Sequence, residues 1–397
     1  MRSLKRALLL ALAMAIAATP LLTQTAESAV TKGQASVAKR SAKLYINQRQ
    51  YDKALEQYQV AVEGRPDDAE VHYYLGWLYS QKELFEEMNE HYDQIMAAKK
   101  DKKWKKKVED DRKELWVRYY NMAVKGMNAQ KFDFASEQYN LAITINPNEA
   151  DAYEGLAITH LNAGNQEEGI AMYRKALEIN PNKAQSFYNA GGALMNAGRI
   201  EEALEMFKKG HALDPEEVNI LKNMAVAQHR LGDKEGAGET AEKALAVAGD
   251  DPAILNIAAS IFLQAENYEK SAGILEKVIE IQPDNVDAFF NLAVAYRNLD
   301  KGGEALALFR KIVEANPDDA DSWYQLGLLA DKIDDFDTSI EAFTKVTELQ
   351  PANARGWGGL YRSLARKSQT LEGTEAEEVT KKATEAYTMY EALQNKE

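Results

Sequence analysis

The 397-residue sequence contains no cysteine. That excludes a disulfide framework, a thiolate nucleophile, a zinc–thiolate site and an iron–sulfur cluster. It also excludes a lipidated cysteine near the N-terminus, and with it a bacterial lipoprotein. Positive charge is in deficit: 48 Lys and Arg face 62 Asp and Glu, leaving a net charge of −14. Such a chain is ill suited to neutralising phosphates along nucleic acid. The five histidines, His72, His91, His160, His211 and His229, show no close metal-binding spacing, and no His-Glu-x-x-His occurs. Long apolar runs are missing beyond the very start of the chain, so nothing later reads as a membrane span. The hydrophobic content of 45% is nevertheless that of a folded protein. Proline is scarce, with nine in all, and their positions organise everything else.

The start of the chain has the order of a secretory signal peptide: Arg2, Lys5 and Arg6, an apolar run from Ala7 to Ala18, then Thr19-Pro20. As a helix that run spans about 18 Å, too short for a hydrocarbon core of about 30 Å. An uncleaved anchor is the bland alternative. Ala26-Glu27-Ser28 places small residues where cleavage needs them, so residues 1–28 are expected to be removed and 29–34 to form a linker. The mature protein is then exported.

Pro147, Pro181 and Pro215 follow one another at a constant step of thirty-four, and Pro283, Pro317 and Pro351 keep the same step. Between the groups Gly249 holds the register, and Pro252 moves on to open the next helix, where a missing N–H costs nothing. Pro66 joins the series once an insertion over 103–115 is allowed. Twenty-four positions before these points lie Ala42, Gly76, Ala123, Ala157, Gly191, Ala225, Ala259, Ala293 and Gly327. Twelve before them the residues are again nearly all small. Eight before them are Tyr58, Tyr92, Tyr139, Tyr173, Phe207, Ala241, Leu275, Phe309 and Phe343. Small residues let two helices approach closely, and the aromatic fills the gap against the next repeat. Gly164, Gly198 and Gly232 suit a left-handed cap between the helices.

This pattern resembles the tetratricopeptide repeat (TPR) family over roughly residues 35–353. The resemblance implies an all-α fold, a right-handed TPR superhelix or α-solenoid with a concave groove. Repeats one and two span 35–102, an insertion rich in lysine and acid spans 103–115, and repeats three to nine span 116–353. A degenerate repeat and capping helix fill 354–397, with the last helix over 374–394 opened by a Thr374…Glu377 capping box. Its apolar face would carry Ala376, Val379, Ala383, Tyr387 and Tyr390.

Two features invite a functional reading. The insertion follows Lys99-Lys100-Asp101, and the stretch continues Lys102, Lys103, Trp104, Lys105, Lys106, Lys107. Such a cluster can contact an anionic envelope surface, or be a solvated helix whose lysines pair with Glu109, Asp110 and Asp111 one turn on. The second is the groove. In the TPR family first helices line the concave face. One position on that face holds Tyr73, Tyr120, Tyr188, Phe290 and Tyr324; the position after it holds Asn121, Asn189, Asn223 and Asn291. This row is similar to the asparagine ladder of the O-GlcNAc transferase superhelix, which holds extended peptide; each amide offers a donor and an acceptor. The same residues are also common choices in the repeat pattern itself. The lysine–asparagine clamp of chaperone-tail-binding TPR domains is not reproduced: Lys39 and Lys43 begin something like it, but Tyr74 stands where asparagine is required.

No catalytic constellation, cofactor motif or metal site is expected. Asp331, Asp334, Asp335 and Asp337 lack the glycine and distant glutamate of a calcium loop and read as a solvated acidic turn. The resulting expectation is a non-catalytic, exported scaffold, periplasmic or at the cell surface. It would bind a protein or peptide partner in its groove for assembly or secretion in a bacterial envelope, without nucleic acid and without a membrane span. A structural subunit of a surface assembly and a polysaccharide-associated accessory protein are the alternatives.

Overall fold

A computed structural model describes residues 30–394; the expected signal peptide lies outside these residues. The described chain forms twenty α-helices and no strand. They are α1 Lys32–Asn47, α2 Tyr51–Gly64, α3 Ala69–Ser80, α4 Phe85–Ala97, α5 Lys102–Asn128, α6 Phe132–Ile145 and α7 Ala150–Asn162. They continue with α8 Gln166–Ile179, α9 Ala184–Asn196, α10 Ile200–Leu213, α11 Val218–Arg230, α12 Lys234–Ala248, α13 Pro252–Gln264 and α14 Tyr268–Ile281. The last six are α15 Val286–Asn298, α16 Gly302–Ala315, α17 Ala320–Lys332, α18 Phe336–Leu349, α19 Ala354–Ser368 and α20 Gly373–Gln394. No described helix is long and apolar enough to cross a membrane. The chain divides into two units, residues 1–163 and 164–397. Within each, helices pack on their sequence neighbours in the manner of an α-solenoid.

The repeat builds itself from local chemistry. Two positions after the repeat-ending Pro or Gly, Asp68, Asp251, Asn285, Asp319 and Asn353 cap the first helix through their side chains. The first helix then ends in one left-handed residue. That slot, recurring once per repeat, holds Gly164, Gly198 and Gly232, but also Arg49, Glu83, Gln130, Glu266, Asp300 and Asp334, all with φ between 54° and 83°. The glycines therefore mark a conformation common to all nine repeats.

The small slots and the aromatic slot interlock. A Cβ on Gly76 would lie 2.3 Å from the Tyr92 ring, and one on Gly191 would lie 2.5 Å from Phe207. These pairs join the two helices of one repeat. The same aromatic also reaches the following first helix: a Cβ on Gly155 would lie 2.3 Å from Tyr139, and one on Gly359 would lie 2.4 Å from Phe343. Tyr58, Tyr92, Phe207, Phe309 and Phe343 are fully buried by this arrangement. Where serine takes the second small slot its hydroxyl is satisfied internally: Ser271 donates to the Ala259 carbonyl at 2.9 Å, and Ser339 to that of Gly327 at 3.1 Å.

The insertion is the N-terminal half of α5, one helix of 27 residues continuous with the first helix of repeat three. The last helix begins at Gly373, just before the expected Thr374. It buries Ala383 and Ala386, half-buries Ala376, Val379 and Tyr390, and leaves Tyr387 exposed.

Candidate functional site: the first-helix faces

The aromatic row of the first helices rests on the buried aromatic of the second helix in its own repeat. In the first unit Tyr73 stacks on Tyr92 at 6.1 Å, and Tyr120 meets Tyr139 edge-on at 5.6 Å while stacking on Trp116 at 4.7 Å. In the second unit Tyr188 packs on Phe207, Phe290 on Phe309 and Tyr324 on Phe343, with centroids 6.5, 5.7 and 5.7 Å apart. Tyr120, Tyr188, Phe290 and Tyr324 are thus half core and half surface, while Tyr73 is buried. Asn189, Asn223 and Asn291 are half-buried one position further on, and Asn121 is exposed. Asn189 accepts a hydrogen bond from Gln185 at 2.9 Å, which fixes its amide. Asn189 and Asn223 follow each other in successive repeats of the second unit; Asn121 belongs to the first.

The lysines that resembled the start of a clamp are otherwise engaged. Lys39 bridges Asp68 and Glu70, both at 2.8 Å, and Lys43 reaches Glu70 at 2.6 Å. Burial alone would raise both carboxyls, yet the lysine hydrogen bonds outweigh it and hold them below the usual carboxylate range. These charges tie α1 to the start of α3.

The insertion is docked rather than projecting. Trp104 packs on Tyr73 and Tyr74 at 5.0 and 6.1 Å, and Lys107 lies over the Tyr73 ring at 4.9 Å. Lys105 donates to the Met96 carbonyl at 2.7 Å. Asp111 accepts from the Tyr92 hydroxyl at 2.9 Å, and burial pushes its carboxyl above the ordinary value. Arg112 holds Asn89 and Asp93, both at 2.7 Å. Lys105 and Lys107 therefore also turn to α4 and α3, where a carbonyl and an aromatic ring lie within reach, while the charge of Lys107 still acts on Asp111 one turn on. Lys102, Lys103 and Lys106 remain exposed.

Two groupings escape sequence reasoning. His72 and His91 meet with their Nδ1 atoms 3.1 Å apart, and His72 Nε2 lies 2.7 Å from the Pro66 carbonyl. Trp323 and Trp357 occupy the same slot and donate to Pro317 and Pro351 at 2.9 and 2.8 Å, so His72 Nε2 carries the proton there. His91 must then donate from Nδ1. Burial, with His72 beside it, pushes His91 down to about 4. The interval that joins the two histidines is the one that joins each row aromatic to its buried partner, and was the available signal.

The second grouping corrects the acidic turn. Asp331 is buried and accepts from Arg362 at 2.9 Å and from Arg366 at 3.0 Å; Arg366 also pairs with Asp334, and Lys367 with Asp337. Cations of α19 pair with the turn, which buries Asp331 alone and leaves Asp334 and Asp337 exposed to solvent as expected. Among the described residues no group of three or more His, Asp or Glu is placed to hold a metal.

Family models described as tetratricopeptide repeat or TPR repeat match residues 42–82, 150–183, 172–205, 194–261, 262–331 and 320–353, together more than half of the chain. The chain is a tetratricopeptide repeat protein. Among solved structures, the C-terminal part of a TPR repeat-containing protein from Cytophaga hutchinsonii is similar at 17% identity and a TM-score of 0.54, over 61% of this chain and 99% of that one. MamA from Desulfovibrio magneticus RS-1 is 25% identical, over 43% of this chain and 96% of that one, with a TM-score of 0.41. YrrB, described as a TPR protein with an unusual peptide-binding site, is 20% identical over 47% and 96%, with a TM-score of 0.43. No curated protein matches the chain in sequence. TPR proteins are in general non-catalytic scaffolds that bind protein or peptide partners, and no enzymatic family is indicated.

Proposed function

We propose that this TPR protein is an exported scaffold that holds an extended segment of a partner protein against the first-helix faces of its second unit, in assembly or secretion work of a bacterial envelope. The observation that carries the binding is the half-buried row of Tyr188, Asn189 and Asn223, where rigid aromatic surface adjoins amides able to pair with a peptide backbone. Export rests on the basic and apolar order of residues 1–28. Asn189 and Asn223 each contribute about 1 kcal/mol in this reading, so losing both weakens capture roughly thirtyfold. The test is a pull-down from envelope extract with Asn189→Ala/Asn223→Ala, beside a Lys102→Ser/Lys103→Ser/Lys106→Ser variant. Weaker capture by the asparagine variant with an unchanged melt supports the reading. Undiminished capture there, with loss in the lysine variant, moves binding to the exposed lysines of α5. A large fall in melting temperature of the asparagine variant makes the amides structural.

A further inference from the structure

We propose that the leading end of α5 is a docking surface for an anionic phospholipid bilayer, made by Lys99, Lys100, Lys102, Lys103 and Lys106. This goes beyond partner capture by the second unit and is carried by the first unit alone. The nine residues 99–107 hold seven lysines and one acid, Asp101, in a chain where acid outnumbers base. The fold sorts those lysines. Lys105 and Lys107 turn inward to the Met96 carbonyl and the Tyr73 ring. The other five are exposed, and none has an acid or carbonyl partner for its amine among the described residues. Lys103 lies over the Trp104 ring at 4.9 Å.

The placement works against the helix that bears it. Helices α2, α3 and α4 carry acid in the first turn (Asp52, Glu70, Glu86 and Glu87), which suits the positive end of a helix dipole. The first turn of α5 has none, and Asp101 makes no side-chain cap. Its lysines are opposed by one another and by the dipole, and negative charge from outside relieves both. The patch is also confined. Beyond Lys106 the exposed positions of α5 carry Glu109, Asp110 and Glu114, with Lys113 between them. A linear polyanion laid along the helix meets these carboxylates; a charged plane touched by the tip does not. Every base in the stretch is lysine, a hydrated point charge suited to diffuse surface charge. The arginine fork that grips one fixed carboxylate or phosphate is absent from it. Trp104 docks this end of α5 on Tyr73 and Tyr74, so the backbone bearing the amines is held before contact and little ordering is needed. With that ring turned inward, the attachment is electrostatic rather than inserted.

The test is sedimentation of the full chain with sucrose-loaded vesicles, either phosphatidylcholine alone or phosphatidylcholine mixed with phosphatidylglycerol, at about 0.1 M salt. Residues 1–28 are present in every variant and contribute equally. A lysine near an anionic surface is worth roughly a fivefold factor in partition. Lys102→Ser/Lys103→Ser/Lys106→Ser should therefore lower partition to the mixed vesicles by at least about tenfold, with an unchanged thermal melt. Lys208→Ser/Lys209→Ser/Lys277→Ser removes the same charge from exposed positions of the second unit and should leave partition intact. The difference between wild type and the α5 variant should disappear on phosphatidylcholine alone, and at about 1 M salt, where the screening length is about 3 Å. Glu109→Lys/Asp110→Lys extends the patch at exposed positions and should strengthen binding, which keeps the test decisive if the serine variant loses its fold. Equal partition of wild type and the folded serine variant overturns the proposal. So does an equal loss in the second-unit variant, or no gain in the extended one. Capture of wild type by soluble dextran sulfate, where mixed vesicles of equal charge capture none, makes the partner a polymer and overturns it too.

Discussion

Replacing Gln130 with glycine should make the protein more stable. Gln130 has φ of 56°, in the slot where Gly164, Gly198 and Gly232 occur in other repeats. An L-residue held left-handed costs about 1–2 kcal/mol. Glycine removes that cost but adds about 0.5–1 kcal/mol of unfolded-state entropy. The net expectation is a gain of about 0.5–1 kcal/mol. The position is clean, because Gln130 is exposed and its side chain makes no described contact that the change would remove. Gly198→Ala gives the reverse experiment: φ is 74° and nothing lies within 4 Å of the added Cβ, so any loss is conformational. It should cost about 1 kcal/mol. Ala129→Gly is the control, since Ala129 has φ of −91° and glycine there can only destabilise. Urea unfolding at constant m reads all three as shifts in midpoint. A loss in Gln130→Gly, or a gain in Ala129→Gly equal to it, refutes the assignment of strain to this slot.

Three further outcomes are expected. Gly191→Leu drives a side chain into the Phe207 ring, which a Cβ alone approaches to 2.5 Å, and should cost about 3 kcal/mol in urea unfolding; an unchanged midpoint would mean the two helices separate freely. Lys39→Met should cost about 1–2 kcal/mol at pH 7. The carboxyls of Asp68 and Glu70 lie below their unfolded values, so their contribution is present above those values and lost as pH falls through the folded ones; the gap between wild type and variant should close as pH falls below the ordinary carboxylate range, and a constant gap would sink the account. Trp104→Ala should remove hydrogen-exchange protection from residues 102–115 while leaving 116–128 protected, because Trp104 docks the first half of α5 on Tyr73 and Tyr74; equal loss along the whole helix would contradict this.

The repeat was legible because its punctuation is written in residues with few substitutes: proline after a helix, alanine or glycine at close approaches, an aromatic between three helices. The left-handed turn was legible only where glycine marked it. Arg49, Glu83 and Gln130 adopt the same conformation with no glycine to signal it, since the surrounding helices impose it. Groupings that depend on one repeat meeting the next stayed hidden for another reason. Arg362 and Arg366 lie a full repeat beyond Asp331, and nothing in a charged helix such as α19 states which acid it will face. Trp104 was readable as unusual among lysines, but its partners Tyr73 and Tyr74 become visible only once α5 is laid against α3. At the candidate site the row of residues was fully legible. That each aromatic is anchored on a buried ring was not.

The buried Asp331 has a consequence for how the chain's end comes apart. A helical stack is expected to fray from its tip one hairpin at a time, each step exposing a face much like the last. Here the step that lifts α19 away also strips both guanidinium groups from the buried carboxylate of Asp331, and a buried charge that loses its partners is costly. Opening at this end therefore has a threshold. Excursions that release α20 alone leave the charges matched, whereas any that release α19 must rehydrate an ion and surrender its partners together. Helix α19 acts less like a link of a chain than like a catch, whose two cationic contacts with Asp331 are closed or undone in a single event.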